Sequence, residues 1–404
     1  MKIVVAAGGR FHAVRLAQEL YKRSALYRFV SGSYSKGDEY ALPQAAVKSI
    51  DSIKIIDQLI WRTRLASVIR PSSLYVFKDG WFNWRLDAAL KKMKPFDIFV
   101  GWANYFLASV ERIRQKAKLI IVESGSCHIE EHERLIVEEC SRLGLPVDHL
   151  HPANRQKILS EYVASDYIMT PSSFARSSFL QRGFPAAKIL QIPCGMDVDF
   201  FWRKDAIPQP FFRLIFVGQL QIGKGVHLLL EAWRQLKLPP AKAELLLVGN
   251  LQRDMRQLLA RQPLPPGARI QAGVAREELK KLYHSSSAFV LPSIQDGFGM
   301  VMGEAMASKL PVIASANTGA PDLITPGHNG LLVPAGNVEA LAQAILQLYQ
   351  NPEWGSRLAQ QGQERIKEYT WQRYGDVTFT TYQTLLEHHE TRTSPGTTCW
   401  QVQL

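Results

Sequence analysis

Ser293-Ile-Gln-Asp-Gly-Phe-Gly-Met-Val-Met-Gly-Glu304-Ala-Met-Ala-Ser-Lys-Leu-Pro-Val-Ile-Ala-Ser315 governs how the rest of the chain is read. An apolar run ends at Leu291, the chain bends through Gly297 and Gly299, helical character begins at about Met300, and a second apolar run starts at Val312. Strand, loop, helix and strand in that order make a parallel crossover unit. Backbone N–H groups at such a helix start favour an anion, because the orphan donors and the helix dipole point the same way. Asp296 lies in the loop and Glu304 about one turn into the helix. Carboxylates repel a diphosphate but accept well from neutral hydroxyls, so the mixture fits a ligand that joins a sugar to a phosphate.

Outward from this unit, short apolar runs alternate with helical patterns, which predicts an α/β architecture of parallel sheets covered on both faces. Strands are expected over 2–7, 98–100, 119–122 and 167–170 in the first half, with a helix over Ala13–Lys22 directly after Gly8-Gly9. The second half offers 213–217, 244–248, 288–291 and 312–314. Between them, residues 196–212 contain Pro208 and Pro210 and read as a break. A chain of 404 residues has room for two such doubly wound, Rossmann-like domains facing a cleft. Motifs just after strands are then where chemistry belongs. No internal repeat is evident, and the tail after about residue 390 is expected to be loosely ordered.

Composition narrows the classes. With 46% apolar and 21% charged residues the chain is neither disordered nor collagenous. Cys127, Cys140, Cys194 and Cys399 share no C-x-x-C spacing, so no disulfide framework is expected and a reducing compartment suits them. No apolar run approaches the roughly 20 residues of a membrane span; the longest, 96–110, is interrupted by Asp97 and Asn104. The apolar start runs into Gly8-Gly9-Arg10 without a cleavage pattern, so it reads as a first strand and a cytoplasmic location is expected.

The net charge of +12 sits in one place: residues 1–118 hold 21 basic and 9 acidic residues, and the remainder holds 27 of each. Residues 60–94 concentrate it, with Arg62, Arg64, Arg70, Lys78, Arg85, Lys91, Lys92 and Lys94 interleaved with Trp61, Trp81, Phe82 and Trp84. Cations beside indole rings suit an anionic lipid interface. A solvated basic face over buried aromatics is the plainer reading, and no nucleic-acid motif accompanies the stretch.

A second motif, Phe216-Val-Gly-Gln-Leu-Gln-Ile-Gly-Lys-Gly-Val-His-Leu-Leu-Leu-Glu-Ala232, follows a strand and sets Lys224 between two glycines as a diphosphate clamp. It lacks the spacing of a Walker motif. Asp197-Val-Asp199 has the form of a metal-binding D-x-D but lies in the domain junction. In the first half, Val122-Glu-Ser-Gly-Ser-Cys-His-Ile-Glu-Glu-His132 follows a strand and is expected to face the cleft; Cys127 and His128, being adjacent, make a poor catalytic dyad.

Taken together these motifs resemble the retaining glycosyltransferases of family 4, which have the GT-B fold. The resemblance rests on Gly8-Gly9, Ile192-Pro-Cys-Gly-Met-Asp197, the Gly218 and Lys224 stretch, Leu247-Val-Gly249, Gly273-Val274 with Tyr283, the Asp296 to Glu304 signature, and Tyr369-Thr-Trp-Gln-Arg-Tyr374. It implies an acceptor-binding domain over 1–195, a nucleotide-sugar-binding domain over 196–372, and a closing helix and tail over 373–404. It implies hexosyl transfer from a nucleotide-diphosphate sugar without cofactor or metal. Glu304 would accept the ribose hydroxyls, and Asp296 with the amides of Gly297, Phe298, Gly299 and Met300 would hold the donor sugar. Lys224 would neutralise the diphosphate beside Gly218, Gln219 and Gly249. Gly273, Val274 and Tyr283 would surround the base, Gly8 and Gly9 would approach the phosphates, and His128 would stand near the reacting centre, with Glu123 of similar standing. The chain departs from the family at Asp296, where Glu is common, and at Gln219, where Arg is common and offers a forked cation. The expected acceptor is a lipid-linked or polysaccharide intermediate at the inner membrane face, with peripheral contact through 60–94 and no nucleic-acid partner. The alternatives are a small soluble acceptor or a non-catalytic GT-B regulatory partner.

Overall fold

The computed structural model describes residues 1–9, 12–34, 42–50, 71–147, 149–204 and 211–393. Two parallel sheets organise the described residues. The first has seven strands in the order β3-β2-β1-β4-β5-β6-β7, formed by β1 (Ile3–Ala7), β2 (Leu26–Ser31), β3 (Val47–Ser49), β4 (Phe96–Trp102), β5 (Ala117–Glu123), β6 (Tyr167–Thr170) and β7 (Ile189–Gln191). The second has six, β10-β9-β8-β11-β12-β13, formed by β8 (Phe212–Val217), β9 (Ala243–Val248), β10 (Ala268–Gln271), β11 (Ala288–Leu291), β12 (Val312–Ser315) and β13 (Leu331–Val333). Both are doubly wound, and both reverse direction between their first and fourth strands.

The central strands are apolar from end to end because helices bury them on both faces: all five residues of β1 and all four of β11 are buried. These are the strands that the sequence announces. It does not announce β2, β3, β7, β10 and β13. Four of those are sheet edges, and β3 and β10 carry Lys48 and Arg269 where solvent reaches one side.

The last helix, Trp371–Thr393, crosses back onto the first sheet. Its Tyr382 is fully buried and donates its hydroxyl to Met169 Sδ at 3.7 Å. Arg23 ties the same helix to α1 (Ala13–Lys22), donating to Glu19 at 2.7 Å and to Asp376 at 2.6 Å. Pro208, Pro210, Trp61, Arg62, Arg64, Arg70 and most of the tail after residue 390 lie outside the described residues.

The two sheets' loops touch across the cleft. Glu139, on α3 (Ile129–Arg142), meets His227 Nε2 of the second half at 2.5 Å. Burial pushes the Glu139 carboxyl up, but the bonds from His227 and Arg142 outweigh it and hold its pKa at about 2. Ser172 Oγ donates to the Gly297 carbonyl at 2.6 Å, and a Cβ on Gly297 would stand only 1.9 Å from the Gly125 carbonyl oxygen. Only a glycine lets the loop after β11 lie this close to the first sheet.

Candidate active site

Ligands in open α/β sheets bind outside the carboxyl ends of the strands, where the strand order reverses. In the second sheet that point lies between β8 and β11, and the loops leaving these strands carry Lys224 and Asp296. The two side chains meet: Lys224 Nζ donates to Asp296 Oδ2 at 2.5 Å. Gly225 makes this possible. Its φ is +67°, and a Cβ there would fall 1.9 Å from the Pro292 carbonyl oxygen, so any other residue would push the two loops apart. Asp296 is further fixed by its backbone N–H, which donates to Asn317 O at 2.9 Å.

The chain then turns through Gly299, at φ +81°, into the helix Val301–Ala307, one residue later than expected. Phe298 is buried against Gly319, so only its backbone is available to a ligand. Met300 is half-buried at the helix start. Glu304 accepts from the Tyr283 hydroxyl at 3.0 Å. Burial of the carboxyl pushes its pKa up to about 7, against the pull of that bond and of Arg276. Gly218 and Gly249 bring the loops after β8 and β9 together, Gln219 is exposed, and Gly273 lies beside Asn250 with Val274 half-buried next to it. A Cβ on Gly8 would fall against Tyr105 Cε1, and Gly9 is half-buried after β1.

Two expectations need correction. Tyr283 does not lie open to a base: it is fully buried between Phe201 and Phe289, and its function in the fold is to orient Glu304. His128 does not face the cleft. It is 2% exposed among Tyr162, Phe179 and Phe184, and its Nδ1 caps α3 by accepting from Glu130 N at 3.3 Å. Burial, with help from Arg182, brings its pKa down to about 4 and keeps it neutral. Asp197, in the domain junction, takes guanidinium groups from Arg15 and, at 2.7 Å, from Arg276. Asp199 is exposed.

Four residues after His128, one helical turn later, His132 lies against the loop that carries Asp296. Gln295, beside Asp296, donates from Nε2 to His132 Nδ1 at 2.7 Å, and its Oε1 accepts from Ser126 at 3.0 Å. Glu123 is buried and bonded to His12 Nε2 at 3.1 Å, with its second oxygen buried and unpartnered. The sequence held the signal for His132, a second His in the quoted stretch, but the capping geometry that consumes His128 was not legible there.

The family match falls in the second half. Residues 197–365 match the family described as Glycosyl transferases group 1. The chain carries a group 1 glycosyltransferase domain. Its Lys224–Asp296 pair and Glu304 all lie inside the matched segment. Over 308 residues the chain is 26% identical to the amylovoran biosynthesis glycosyltransferase AmsK of Erwinia amylovora, covering 71% of each chain. Among solved structures, sucrose-phosphate synthase from Thermosynechococcus elongatus superposes with a TM-score of 0.71 at 19% identity, over 96% of this chain and all of that one. HepE from Anabaena, solved with UDP-glucose, gives 0.65 at 16% over 95% of this chain and all of that one. These likenesses show the GT-B fold.

Proposed function

We propose that this glycosyltransferase moves a hexosyl group from a nucleotide-diphosphate sugar to a hydroxyl acceptor, retaining the anomeric configuration and using no metal. The meeting of Lys224 and Asp296 at the switch point of the second sheet carries the reading. In this arrangement residues 196–372 bind the donor and residues 1–195 the acceptor, while the helix Trp371–Thr393 closes the first domain. Glu304 takes the ribose hydroxyls. Asp296 and the Gly297 to Met300 amides hold the sugar, and Lys224 faces the diphosphate. As the anomeric C–O bond breaks, positive charge grows on carbon and negative charge on the departing phosphate oxygen, where a preplaced cation lowers the barrier. The acceptor hydroxyl attacks from the leaving-group side and gives its proton to that oxygen. Arg15 and Arg276 already occupy the Asp197 carboxylate, which supports a reaction in which Lys224, and no metal held at that position, supplies the positive charge.

AmsK is named for amylovoran biosynthesis, which supports a polysaccharide or lipid-linked acceptor made at the cytoplasmic membrane face. The helix α2 (Pro71–Lys91) bears on this. Phe77 and Trp84 are each 58% exposed, Lys91, Lys92 and Lys94 follow on exposed positions, and Phe82 is buried in the core. No helix of the described residues is long and apolar enough to cross a membrane. A surface of this kind docks peripherally, at about 1 kcal/mol per basic side chain. Lys91→Glu, Lys92→Glu and Lys94→Glu together should lower sedimentation with anionic vesicles; equal sedimentation would remove the membrane from the proposal.

The donor is tested by thermal unfolding with UDP-, GDP- and ADP-sugars. A ligand at 100 times its dissociation constant stabilises by about 2.7 kcal/mol. One nucleotide should shift the wild type and not Glu304→Ala. Binding without any turnover would favour a regulatory partner over an enzyme.

A further inference from the structure

The first sheet has its own switch point, between β1 and β4, and a cavity opens beside it. Its volume of about 360 Å3 is at the lower end of the roughly 300 to 1,000 Å3 typical of small-molecule sites. Asp79 of α2, Asn104 and Tyr105 after β4, His132 of α3, and Leu150 and Asn154 line it.

Asn104 is the unusual member. Its φ of +83° lies in the left-handed region, and such a conformation persists only where the surroundings over-determine it. Here Glu161 does so. This carboxylate, fully buried on the helix Pro152–Ala164, accepts the backbone N–H of Asn104 and, each at 2.8 Å, those of Phe106 and Leu107. The Asn104 side chain is aimed in turn: Nδ2 donates to Asp79 Oδ2 at 2.5 Å, and Asn154 Nδ2 donates to the same oxygen at 3.1 Å. Asn104 Oδ1 is buried with no partner. An acceptor atom held in that state beside a cavity is waiting for a donor.

The lining chemistry says what kind. No lysine or arginine is among the described lining residues, and Lys78 and Lys157, whose charges reach Asp79, are not among them either. Asp79 and Glu133 contribute carboxylates. Arg155 already pairs Glu133 at 2.9 Å, so it is the Asp79 carboxylate that would repel a phosphate here. A hydroxyl would find acceptors in Asn104 and Asp79, and an apolar ring face would find Tyr105 and Leu150. The Gln295 bond fixes the His132 proton on Nε2, and it joins this cavity to the residue next to Asp296.

We propose that this cavity binds one uncharged pyranose ring of the acceptor, using Asn104 Oδ1, Asp79 and His132 for its hydroxyls, and that it selects against a phosphorylated group. The inference deepens the transferase reading and rests on it. The test is saturation-transfer NMR on the full chain with methyl α-D-glucopyranoside, mannopyranoside and galactopyranoside, each with the stabilising nucleotide present to occupy the donor site. At least one glycoside should give ring-proton signals in the wild type. Those signals should fall at least tenfold in Asp79→Ala and in Leu150→Trp, which fills the cavity, while both variants keep the nucleotide-sugar thermal shift that shows them folded. Signals that survive Leu150→Trp, a wild type that takes the nucleotide sugar but no glycoside, or displacement of the glycoside by inorganic phosphate would each overturn the proposal. Absence of any nucleotide-sugar shift in the wild type sinks the transferase reading instead, whatever the glycosides do.

Discussion

The two sheets repeat one strand order and open the same crevice, yet they furnish it with opposite chemistry. After β8 and β11 the crevice holds a lysine, a carboxylate and glycines that bring backbone close. Beside β1 and β4 the cavity holds two carboxylates, amide side chains and two histidines, with no lysine or arginine among its described lining residues. On the proposed reading, topology sets where ligands go and the loop residues decide what they are: an anionic donor on one side, an uncharged hydroxyl-bearing acceptor on the other. The contrast is open to attack from either half.

The largest effect should come from the cationic side. Lys224→Ala removes the charge proposed to meet the leaving group and should lower kcat by about 100-fold or more, the usual loss for one preorganised donor. A kcat within threefold of wild type would move the diphosphate elsewhere. On the other side, Glu161→Ala should cost roughly 2 to 3 kcal/mol, since three buried N–H groups lose their acceptor. Urea unfolding measures this, and hydrogen exchange should show faster loss of protection at Asn104, Phe106 and Leu107. Unchanged exchange would mean that the left-handed turn holds itself.

A smaller effect sharpens the donor half through pH. Glu304 has a pKa of about 7 in the fold against 4.5 for an ordinary glutamate, so its contribution to stability is present below 4.5 and is lost as pH rises through 7. Ribose hydroxyls prefer the ionised form. Nucleotide affinity should therefore be highest above pH 7 and weaken by up to tenfold per unit as pH falls below it. Glu304→Gln should flatten that profile, and a wild-type profile already flat would deny the contact. The smallest effect lies between the halves: Gln295→Ala removes bonds to His132 and Ser126 and should cost about 1 kcal/mol, with KM for acceptor rising more than KM for donor.

Much of the donor half was legible. Lys224, Asp296 and Glu304 follow strands whose apolar runs are unbroken, and glycines flank them because the loops must touch. The acceptor half was not. Asn104 reads only as a polar interruption in an apolar run, since its meaning depends on Glu161, 57 residues away. His128 and His132 are one helical turn apart, and a cap that consumes the first is a matter of backbone angle, which spacing does not encode. Tyr283 failed for a similar reason: the resemblance put an aromatic beside the base without saying which way the ring points.

The closing helix has a consequence for synthesis. Tyr382 fills a socket in the first sheet that nothing else occupies, so replacing it with alanine would open a cavity worth roughly 3 to 5 kcal/mol. That plug emerges from the ribosome some 190 residues after β7. At about 5 to 20 residues per second, the first domain therefore waits roughly 10 to 40 s with its seam uncovered, while the second domain folds in the interval. The domain that begins the chain is the last to be finished, and a cell that makes this protein must shelter the one while it builds the other.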